Sequence, residues 1–182
     1  MNLDDKGYLL SKIKYSENAV ISEIFKKNYG KISGIIYGAS SKKIKNYLQI
    51  GNRLHINYNY KNDGKIGYFK IEIDKILTPL FFDDRKKLAC IISTLNLIKI
   101  LTADSQENFK IYNSIKTFFN ILHNSNWIKN YILWELEFYK LIGYDLALKN
   151  LISEDSKNNE KIYYVESKNT KKIVPNFLVD LN

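Results

Sequence analysis

Cysteine, histidine and glycine-rich loops are scarce in this sequence. Cys90 is the single cysteine, and His55 and His123 are the two histidines, far apart along the chain. One cysteine excludes an internal disulfide and a zinc knuckle. The sequence also contains neither a phosphate-binding glycine loop nor a His-Glu-x-x-His motif. We therefore expect no metal, no cofactor and no enzyme activity, and we interpret Cys90 as a buried thiol in a reducing cytoplasm.

Long apolar runs are also missing. The longest stretch without a charged residue covers 117–128, twelve residues that are too few to cross a bilayer. The amino terminus carries Asp4, Asp5 and Lys6 and has no apolar signal-peptide core. These absences predict a soluble, cytoplasmic protein with no membrane partner.

Glycine is confined to one part of the chain. Seven of the eight glycines lie at or before Gly67, and residues 81–142 contain none, which predicts turn-rich β structure followed by helices. In the first half, Leu54, Ile56 and Tyr58 alternate with polar residues, as in a half-buried strand. Five strands are predicted, at 8–15, 19–27, 31–37, 53–60 and 68–75.

The connections between these strands indicate the fold. Gly30 and the pair Asp63-Gly64 are expected to form tight turns. The longer excursion at 38–51, between the third and fourth strands, favours an OB-type barrel, and an SH3-like barrel is the competing alternative. We predict an α+β protein with an OB-type barrel, a helical domain and a short irregular tail. Their expected bounds are 1–79, 80–150 and 151–182.

Three helices are predicted after residue 80. Asp83 or Asp84 is placed to cap the first, Asp104 with Glu107 resembles a capping box for the second, and Gly143 is placed to end the third. Beyond them the pattern fades into a loop at 153–161, a short strand at 162–166 and a docking segment at 175–178. The expected inward-facing residues are Leu88, Ile91, Ile92, Leu95 and Ile98, then Phe109, Tyr112, Phe119 and Leu122, then Trp127, Tyr131, Trp134, Phe138 and Leu141.

Positive charge is distributed unevenly. The net charge is +9, with 14 Lys/Arg against 7 Asp/Glu in residues 1–80 and 14 against 12 in residues 81–182. The first half therefore carries +7 and the second +2. A polyanionic partner of the barrel is the function class that this asymmetry favours.

One lysine cluster has a composition suited to phosphate contacts. Lys42, Lys43 and Lys45 lie beside Ser40 and Ser41 in the predicted 38–51 loop, where ammonium, hydroxyl and backbone N–H groups can meet a phosphate. Packing is the favoured role for any single strand tyrosine, although an exposed ring offers a stacking face to a base. The other candidate contacts are Lys12, Lys14, Lys26, Lys27, Lys31, Arg53, Tyr15 and Tyr37.

The order of several short motifs resembles the RecO family of bacterial recombination mediators. In the first half these motifs are Asp5-x-Gly7, Tyr15-x-Glu17, Phe25-x-x-x-Tyr29-Gly30-Lys31, Gly38-Ala39-Ser40-Ser41-Lys42 and Leu48-Gln49-Ile50-Gly51-Asn52. Later ones are Trp134-Glu135-Leu136, Leu141-Ile142-Gly143-Tyr144-Asp145-Leu146 and Tyr163-Tyr164-Val165-x-Ser167-Lys168. The likeness runs from residue 3 to about 178.

The resemblance implies a non-enzymatic, nucleoid-associated protein that binds single- and double-stranded DNA and anneals complementary strands. It further implies work with RecR and with the acidic tail of the single-stranded-DNA-binding protein, so that RecA can load. Some relatives hold zinc with four cysteines, and Cys90 alone predicts no zinc here. Most relatives also continue beyond the point that matches 174–178, so we expect their terminal helices to be absent.

Two other function classes are compatible with the residues. One is an RNA-binding OB-barrel protein of translation or ribosome assembly, which competition between single-stranded DNA and structured RNA would distinguish. The other is a structural adaptor that uses the aromatic helix at 127–141 and binds no nucleic acid in a salt-dependent way.

Overall fold

The computed structural model describes residues 2–60, 66–144, 152–157, 160–167 and 170–174. The chain divides into two compact units, Met1–Trp127 and Ile128–Asn182. The first contains the barrel and two long helices, and the second contains nearly all of the last helix and three further strands. The predicted turn at Asp63-Gly64 and the segment at 175–178 lie outside the described residues. The three-part division with its first boundary near residue 79 stays a prediction.

Five strands form a closed barrel in the spatial order β1-β2-β3-β5-β4. All neighbours pair antiparallel except β3 and β5, which meet in parallel at Ile35 and Tyr68. This topology is OB-like and confirms the predicted fold class. The first strand begins at Asn2 rather than Tyr8, because its first half pairs with β4. The strands are β1 (Asn2–Ser16), β2 (Ala19–Lys26), β3 (Gly30–Tyr37), β4 (Arg53–Asn59) and β5 (Tyr68–Lys75).

The barrel interior follows the alternation of the sequence. Leu54, Ile56 and Tyr58 of β4 are buried, whereas His55 and Asn57 between them are partly exposed. Fully burying one such apolar side chain stabilises the fold by about 1.5–3 kcal/mol, so this core is the main source of barrel stability. Its other buried members are Leu9, Ile24, Ile36, Leu48, Phe69 and Ile71.

The turn between β2 and β3 requires glycine at its end. Gly30 has a φ of 67°, as predicted for a tight hairpin. A Cβ at this position would also lie 1.9 Å from the carbonyl oxygen of Gln106. The turn is tied to β1 by Asp5, whose carboxylate accepts a 2.9 Å hydrogen bond from the backbone N–H of Asn28. Gly30 therefore permits both the turn and the close approach of the backbone at Gln106.

In the described residues, four α-helices accompany the strands, and two of the predicted end signals are confirmed. Asp84 caps the helix that follows it, accepting hydrogen bonds from the backbone N–H groups of Lys86 and Lys87, both at 3.1 Å. Gly143 has a φ of 90° just after the last helix. The helices are α1 (Lys42–Tyr47), α2 (Arg85–Leu101), α3 (Phe109–Ile121) and α4 (Trp127–Leu141), and a 3₁₀ turn covers Thr78–Phe81.

Three details of the helix predictions are wrong. Asn108 caps α3 by accepting a 3.0 Å hydrogen bond from Ile111 N–H, so the predicted capping box of Asp104 and Glu107 does not form. Asp104 instead pairs with the ammonium of Lys31 at 3.2 Å. Two residues predicted to face inward, Ile92 and Phe109, are 57% and 50% exposed. The other predicted inward residues are buried or partly buried.

The tail is more regular than predicted. Residues of the predicted 153–161 loop belong to an antiparallel sheet in the order β6-β7-β8. The central strand contains Tyr163, Tyr164 and Val165, residue types that favour strands, and it pairs with a polar strand on each side. Polar edge strands give little alternation, which is why the pattern resembled a loop. The strands are β6 (Ile152–Lys157), β7 (Glu160–Ser167) and β8 (Thr170–Ile173).

A buried dipeptide, Gly51-Asn52, joins the barrel to the segments that follow it. Asn52 is fully buried, and its Oδ1 accepts a 2.9 Å hydrogen bond from the backbone N–H of Leu77. The backbones of Gly51 and Asn52 exchange hydrogen bonds with Leu9 of β1, at 2.7 and 3.0 Å. A Cβ at Gly51, where φ is 92°, would lie 2.3 Å from Thr78 Oγ1 and 2.9 Å from Phe119 Cζ. Only glycine therefore lets α3 and the 3₁₀ turn approach so closely.

Replacing Asn52 with alanine is expected to lower the free energy of unfolding by about 2–3 kcal/mol, because the Leu77 N–H loses the buried acceptor it has in Asn52. The measurement is urea unfolding followed by circular dichroism. Asn96 is exposed on α2, so Asn96→Ala is the control and should change stability by less than about 0.5 kcal/mol. Equal effects of the two changes would contradict the role given to Asn52.

Candidate nucleic-acid interface

The connection from β3 to α1 is held by a residue of the β1–β2 turn, Asn18. Its backbone carbonyl accepts hydrogen bonds from Gly38 N–H at 2.8 Å and Ala39 N–H at 3.2 Å. Its side-chain Oδ1 accepts from the hydroxyl of Ser40 at 2.5 Å and from the Ser40 N–H at 3.3 Å. Asn18, which the sequence analysis did not single out, therefore fixes the chain just before the lysine cluster.

The lysine cluster lies on a helix, not in the predicted loop. Ser41 caps α1, its Oγ accepting a 3.3 Å hydrogen bond from Ile44 N–H. At the other end, Leu48 is buried in the barrel core. Lys42, Lys43 and Lys45 are all exposed. A capped and anchored helix presents these ammonium groups from one short, ordered segment, which reduces the entropy lost when a ligand binds them.

Two lysines of β1, together with one tyrosine of β1 and one of β3, extend this region. The Lys12 ammonium donates a hydrogen bond to the Leu48 carbonyl, and partial burial, with a smaller effect of Lys45, lowers the pKa of Lys12. Lys14 is exposed two residues further along. Tyr15 and Tyr37 are 58% and 60% exposed. We call the set of Lys12, Lys14, Tyr15, Tyr37, Lys42, Lys43 and Lys45 the α1 surface.

The strand register places the two tyrosines at one end of the barrel. Ser16 pairs with Ala19, and Ala19 pairs with Tyr37, so Tyr15 and Tyr37 lie at the same end of the barrel. Asn18, which positions α1, belongs to the turn at that end. Two exposed aromatic rings beside five lysines form an arrangement that accommodates bases and phosphates together.

Two predicted contacts, Lys26 and Lys31, are buried and do not belong to an exposed track. The Lys26 ammonium lies 4.5 Å from the Tyr29 ring centre and 5.8 Å from that of Tyr58, and it has no hydrogen-bond acceptor among the described residues. The Lys31 ammonium donates to the Lys99 carbonyl at 2.5 Å. Their long apolar stems fit the end of the barrel, which alternation in the sequence did not show. We therefore remove both from the interface.

The remaining two predicted residues, Lys27 and Arg53, lie at the opposite end of the β1–β2 pair. The Lys27 ammonium is 5.6 Å from the Phe109 ring centre, and Arg53 Nε is 2.5 Å from Asp74 Oδ2. Both residues line a cleft of about 340 Å³. Lys6 and Lys116, which the sequence analysis did not include in the interface, line the same cleft.

Burial and ion pairing control the ionisation of groups near this cleft. Partial burial opposes the charge of Asp74, but hydrogen bonds from Lys6 and Arg53 outweigh it and hold the pKa of that carboxyl below its usual value. Burial raises the pKa of Tyr112 to about 12, so its phenol stays neutral at pH 7. The cleft therefore combines fixed positive charges with a neutral hydroxyl.

Among the described residues, no group of three or more His, Cys, Asp or Glu side chains is placed to hold a metal ion. In the same ranges, no helix is long and apolar enough to span a membrane.

Two models of known protein families match the chain. The model described as recombination protein O N terminal matches residues 1–76, and the model described as recombination protein O C terminal matches residues 83–176. The chain belongs to the RecO family. The resemblance predicted from the motifs is thereby confirmed, and the first match covers the whole barrel with α1.

Curated relatives agree with this assignment. The chain is 32% identical over 168 residues to the DNA repair protein RecO of Rickettsia canadensis (strain McKiel), covering 92% of this chain and 68% of the relative. It is 28% identical to the RecO of Wolbachia pipientis from Culex pipiens, covering 87% and 66%. It is 26% identical to the RecO of Ehrlichia chaffeensis (strain ATCC CRL-10679 / Arkansas), covering 95% and 70%. The chain thus spans about two thirds of their length.

Replacing the buried Lys26 with methionine is expected to raise the free energy of unfolding at pH 7 by about 1–3 kcal/mol, because it removes a charge without a hydrogen-bond acceptor and keeps the side-chain volume. Burial lowers the pKa of Lys26, so the destabilisation is complete below the folded-state pKa and disappears above the unfolded-state value of about 10.4.

The difference in stability between the wild type and Lys26→Met should therefore shrink as pH rises through that window. Urea unfolding at several pH values provides the measurement. Lys70 is exposed on β5, so Lys70→Met is the control and should show no such trend. A loss of stability in Lys26→Met at pH 7 would show that the two tyrosine rings outweigh the burial of the charge.

Proposed function

We propose that this protein binds and anneals DNA strands in recombinational repair and assists the loading of RecA. The observation that supports this most directly is the α1 surface, where five lysines and two exposed tyrosines share one end of an OB-like barrel. Relatives that are named DNA repair proteins support the same process. The protein acts without catalysis and without a cofactor, in the cytoplasm and in association with the nucleoid.

The chemistry of the α1 surface accounts for binding that is independent of base sequence. Ammonium groups neutralise phosphates and release condensed counterions, while a tyrosine ring stacks on any base. Annealing uses the same neutralisation, because two polyanions must be brought together. Lys42, Lys43 and Lys45 form no ion pair in the described residues, so they are available to phosphates.

The test is a titration of labelled single-stranded DNA at several salt concentrations, repeated with structured RNA as competitor. Tight binding that weakens linearly with log salt and prefers DNA supports the proposal. A preference for structured RNA would indicate the alternative role in translation or ribosome assembly. Absence of salt-dependent binding would indicate a structural adaptor instead.

Changing Lys42, Lys43 and Lys45 together to alanine should weaken binding to every DNA sequence by a similar factor. It should also reduce the slope of log affinity against log salt by roughly 2, at roughly 0.7 for each lost contact with a single strand. The rate of annealing should fall in parallel.

The matched control removes three exposed lysines elsewhere, with Lys70, Lys86 and Lys140 changed to alanine. This control variant has the same net charge as the variant that lacks Lys42, Lys43 and Lys45. It should retain most of the wild-type slope of log affinity against log salt. If both triple variants lose the same affinity, only the overall charge matters and the α1 surface is not the binding site.

The protein partners proposed from family membership are RecR and the acidic tail of the single-stranded-DNA-binding protein. For the tail, an apolar groove of about 280 Å³ lies beside α2, with Ile50, Phe82 and Ile92 among its lining residues and Lys12 at the same opening. Phe82 and Ile92 are 52% and 57% exposed. This groove suits a peptide with an apolar end and acidic residues, because it offers both apolar and cationic contacts.

A synthetic tail peptide should bind the wild type in calorimetry at low salt, and Ile92→Asp should weaken binding at least tenfold by placing a carboxylate against an acidic, apolar ligand. Ile100 is a matched control, since it is 75% exposed on the same helix and does not line the groove. Equal binding by Ile92→Asp and Ile100→Asp would place the tail elsewhere or exclude it.

A further inference from the structure

A second basic site lies between the barrel and α3. Its cleft is lined by the first half of β1, the residue that follows β2, the start of β4 and the first half of α3. The cationic side chains in it are Lys6, Lys27, Arg53 and Lys116. These residues are far apart in sequence, so the folded chain alone brings their charges together.

Only part of this charge is neutralised within the protein. Lys6 and Arg53 both pair with Asp74, at 2.6 and 2.5 Å. The other nearby carboxylate, Asp5, is buried and hydrogen-bonded to Asn28. Lys27 and Lys116 are exposed and form no ion pair in the described residues. The cleft therefore holds four cationic groups against two carboxylates, and both carboxylates are already engaged.

The remaining walls suit a nucleotide unit. Asn113, which has a side-chain amide, and the neutral Tyr112 also line it. Phe109 is 50% exposed with the Lys27 ammonium above its ring, and it provides an apolar face at the opening. A volume of about 340 Å³ accommodates a phosphate with its attached sugar.

The cleft and the start of α1 lie toward opposite ends of the β1–β2 pair. In that pair, Gly7 opposite Lys26 marks the cleft end, and Ser16 opposite Ala19, beside the turn that holds the start of α1, marks the other end. Nine residues of strand separate the two ends, which corresponds to at most about 30 Å at about 3.3 Å per residue. On one strand of B-DNA, that length corresponds to at most roughly nine phosphate intervals.

We propose that the cleft between the barrel and α3 is a second phosphate-binding site that holds a nucleic-acid strand at a distance from the α1 surface. This inference rests on the proposed function, because it assumes that the ligand is the nucleic acid bound by the barrel. Lys27 and Lys116 contact the phosphate, and Arg53, oriented by Asp74 and Tyr8, reinforces the positive field. Two separated sites allow one protein to hold a long strand at two points or two strands at once.

The test uses the full chain with Lys27→Ala and Lys116→Ala combined. On a labelled single strand of about 30 nucleotides, the slope of log affinity against log salt should fall by roughly 1.4, two contacts at roughly 0.7 each. Annealing of complementary strands should slow about tenfold near physiological salt. Lys70→Ala combined with Lys86→Ala removes the same charge outside the cleft and should leave the slope nearly unchanged.

Arginine at both positions separates charge from packing. Lys27→Arg combined with Lys116→Arg should restore the wild-type slope, because the guanidinium keeps the charge and binds phosphate. If the arginine variant behaves like the alanine variant, or if the alanine variant keeps the wild-type slope, the cleft site is rejected. Absence of DNA binding by the wild type itself would instead reject the proposed function.

A free nucleotide is the other source of the same ligand chemistry. Adenosine monophosphate and inorganic phosphate are therefore titrated against the wild type and the alanine variant. Weak binding of both, at millimolar concentrations or above, is expected if the cleft is shaped for a strand. Submillimolar binding of the mononucleotide that is lost in the alanine variant would overturn the assignment to a strand.

Discussion

The arrangement of the first unit depends on a buried side-chain amide next to a position without a side chain. The buried Asn52 side chain accepts a hydrogen bond from the backbone N–H of Leu77, and Gly51 leaves the space that Thr78 and Phe119 occupy. A buried polar group stabilises a fold only when it is hydrogen-bonded. Gly51 and Asn52 therefore favour the one arrangement of β1, the 3₁₀ turn and α3 in which these contacts form. Leu48 then enters the barrel core and ends α1 at a defined place. The position of the proposed DNA-binding surface thus follows from a packing constraint below it.

The lysines of the first unit are of two kinds, buried and exposed. Lys26 and Lys31 lie inside, where their stems fill space and their charges are held by aromatic rings or by carbonyl and carboxylate oxygens. The lysines of α1 and the cleft point outward with few partners. Charge in the sequence therefore overstates the field that a ligand meets, and the structure determines which ammonium groups a polyanion can reach.

Features of the fold that depend on local patterns could be predicted from the sequence, and features that depend on contacts between distant segments could not. The barrel strands and the Asp84 cap were predictable because alternation and capping are local patterns. The short helix α1 was not, since six residues are too few for a helical period. The role of Asn18, and the presence of Lys6 and Lys116 in one cleft, depend on contacts between distant segments, which no local pattern encodes. Lysine side chains are usually exposed, so Lys26 was predicted to lie on the surface, whereas the structure buries it.

The proposed path of the DNA can be tested by chemical labelling of lysines with and without single-stranded DNA, followed by mass spectrometry. DNA is expected to protect Lys42, Lys43 and Lys45, together with Lys27 and Lys116, from the label. The exposed lysines Lys70, Lys86 and Lys140 should react equally in both conditions. Uniform protection of all exposed lysines, or protection centred on Lys70 and Lys86, would contradict the proposed path of the DNA.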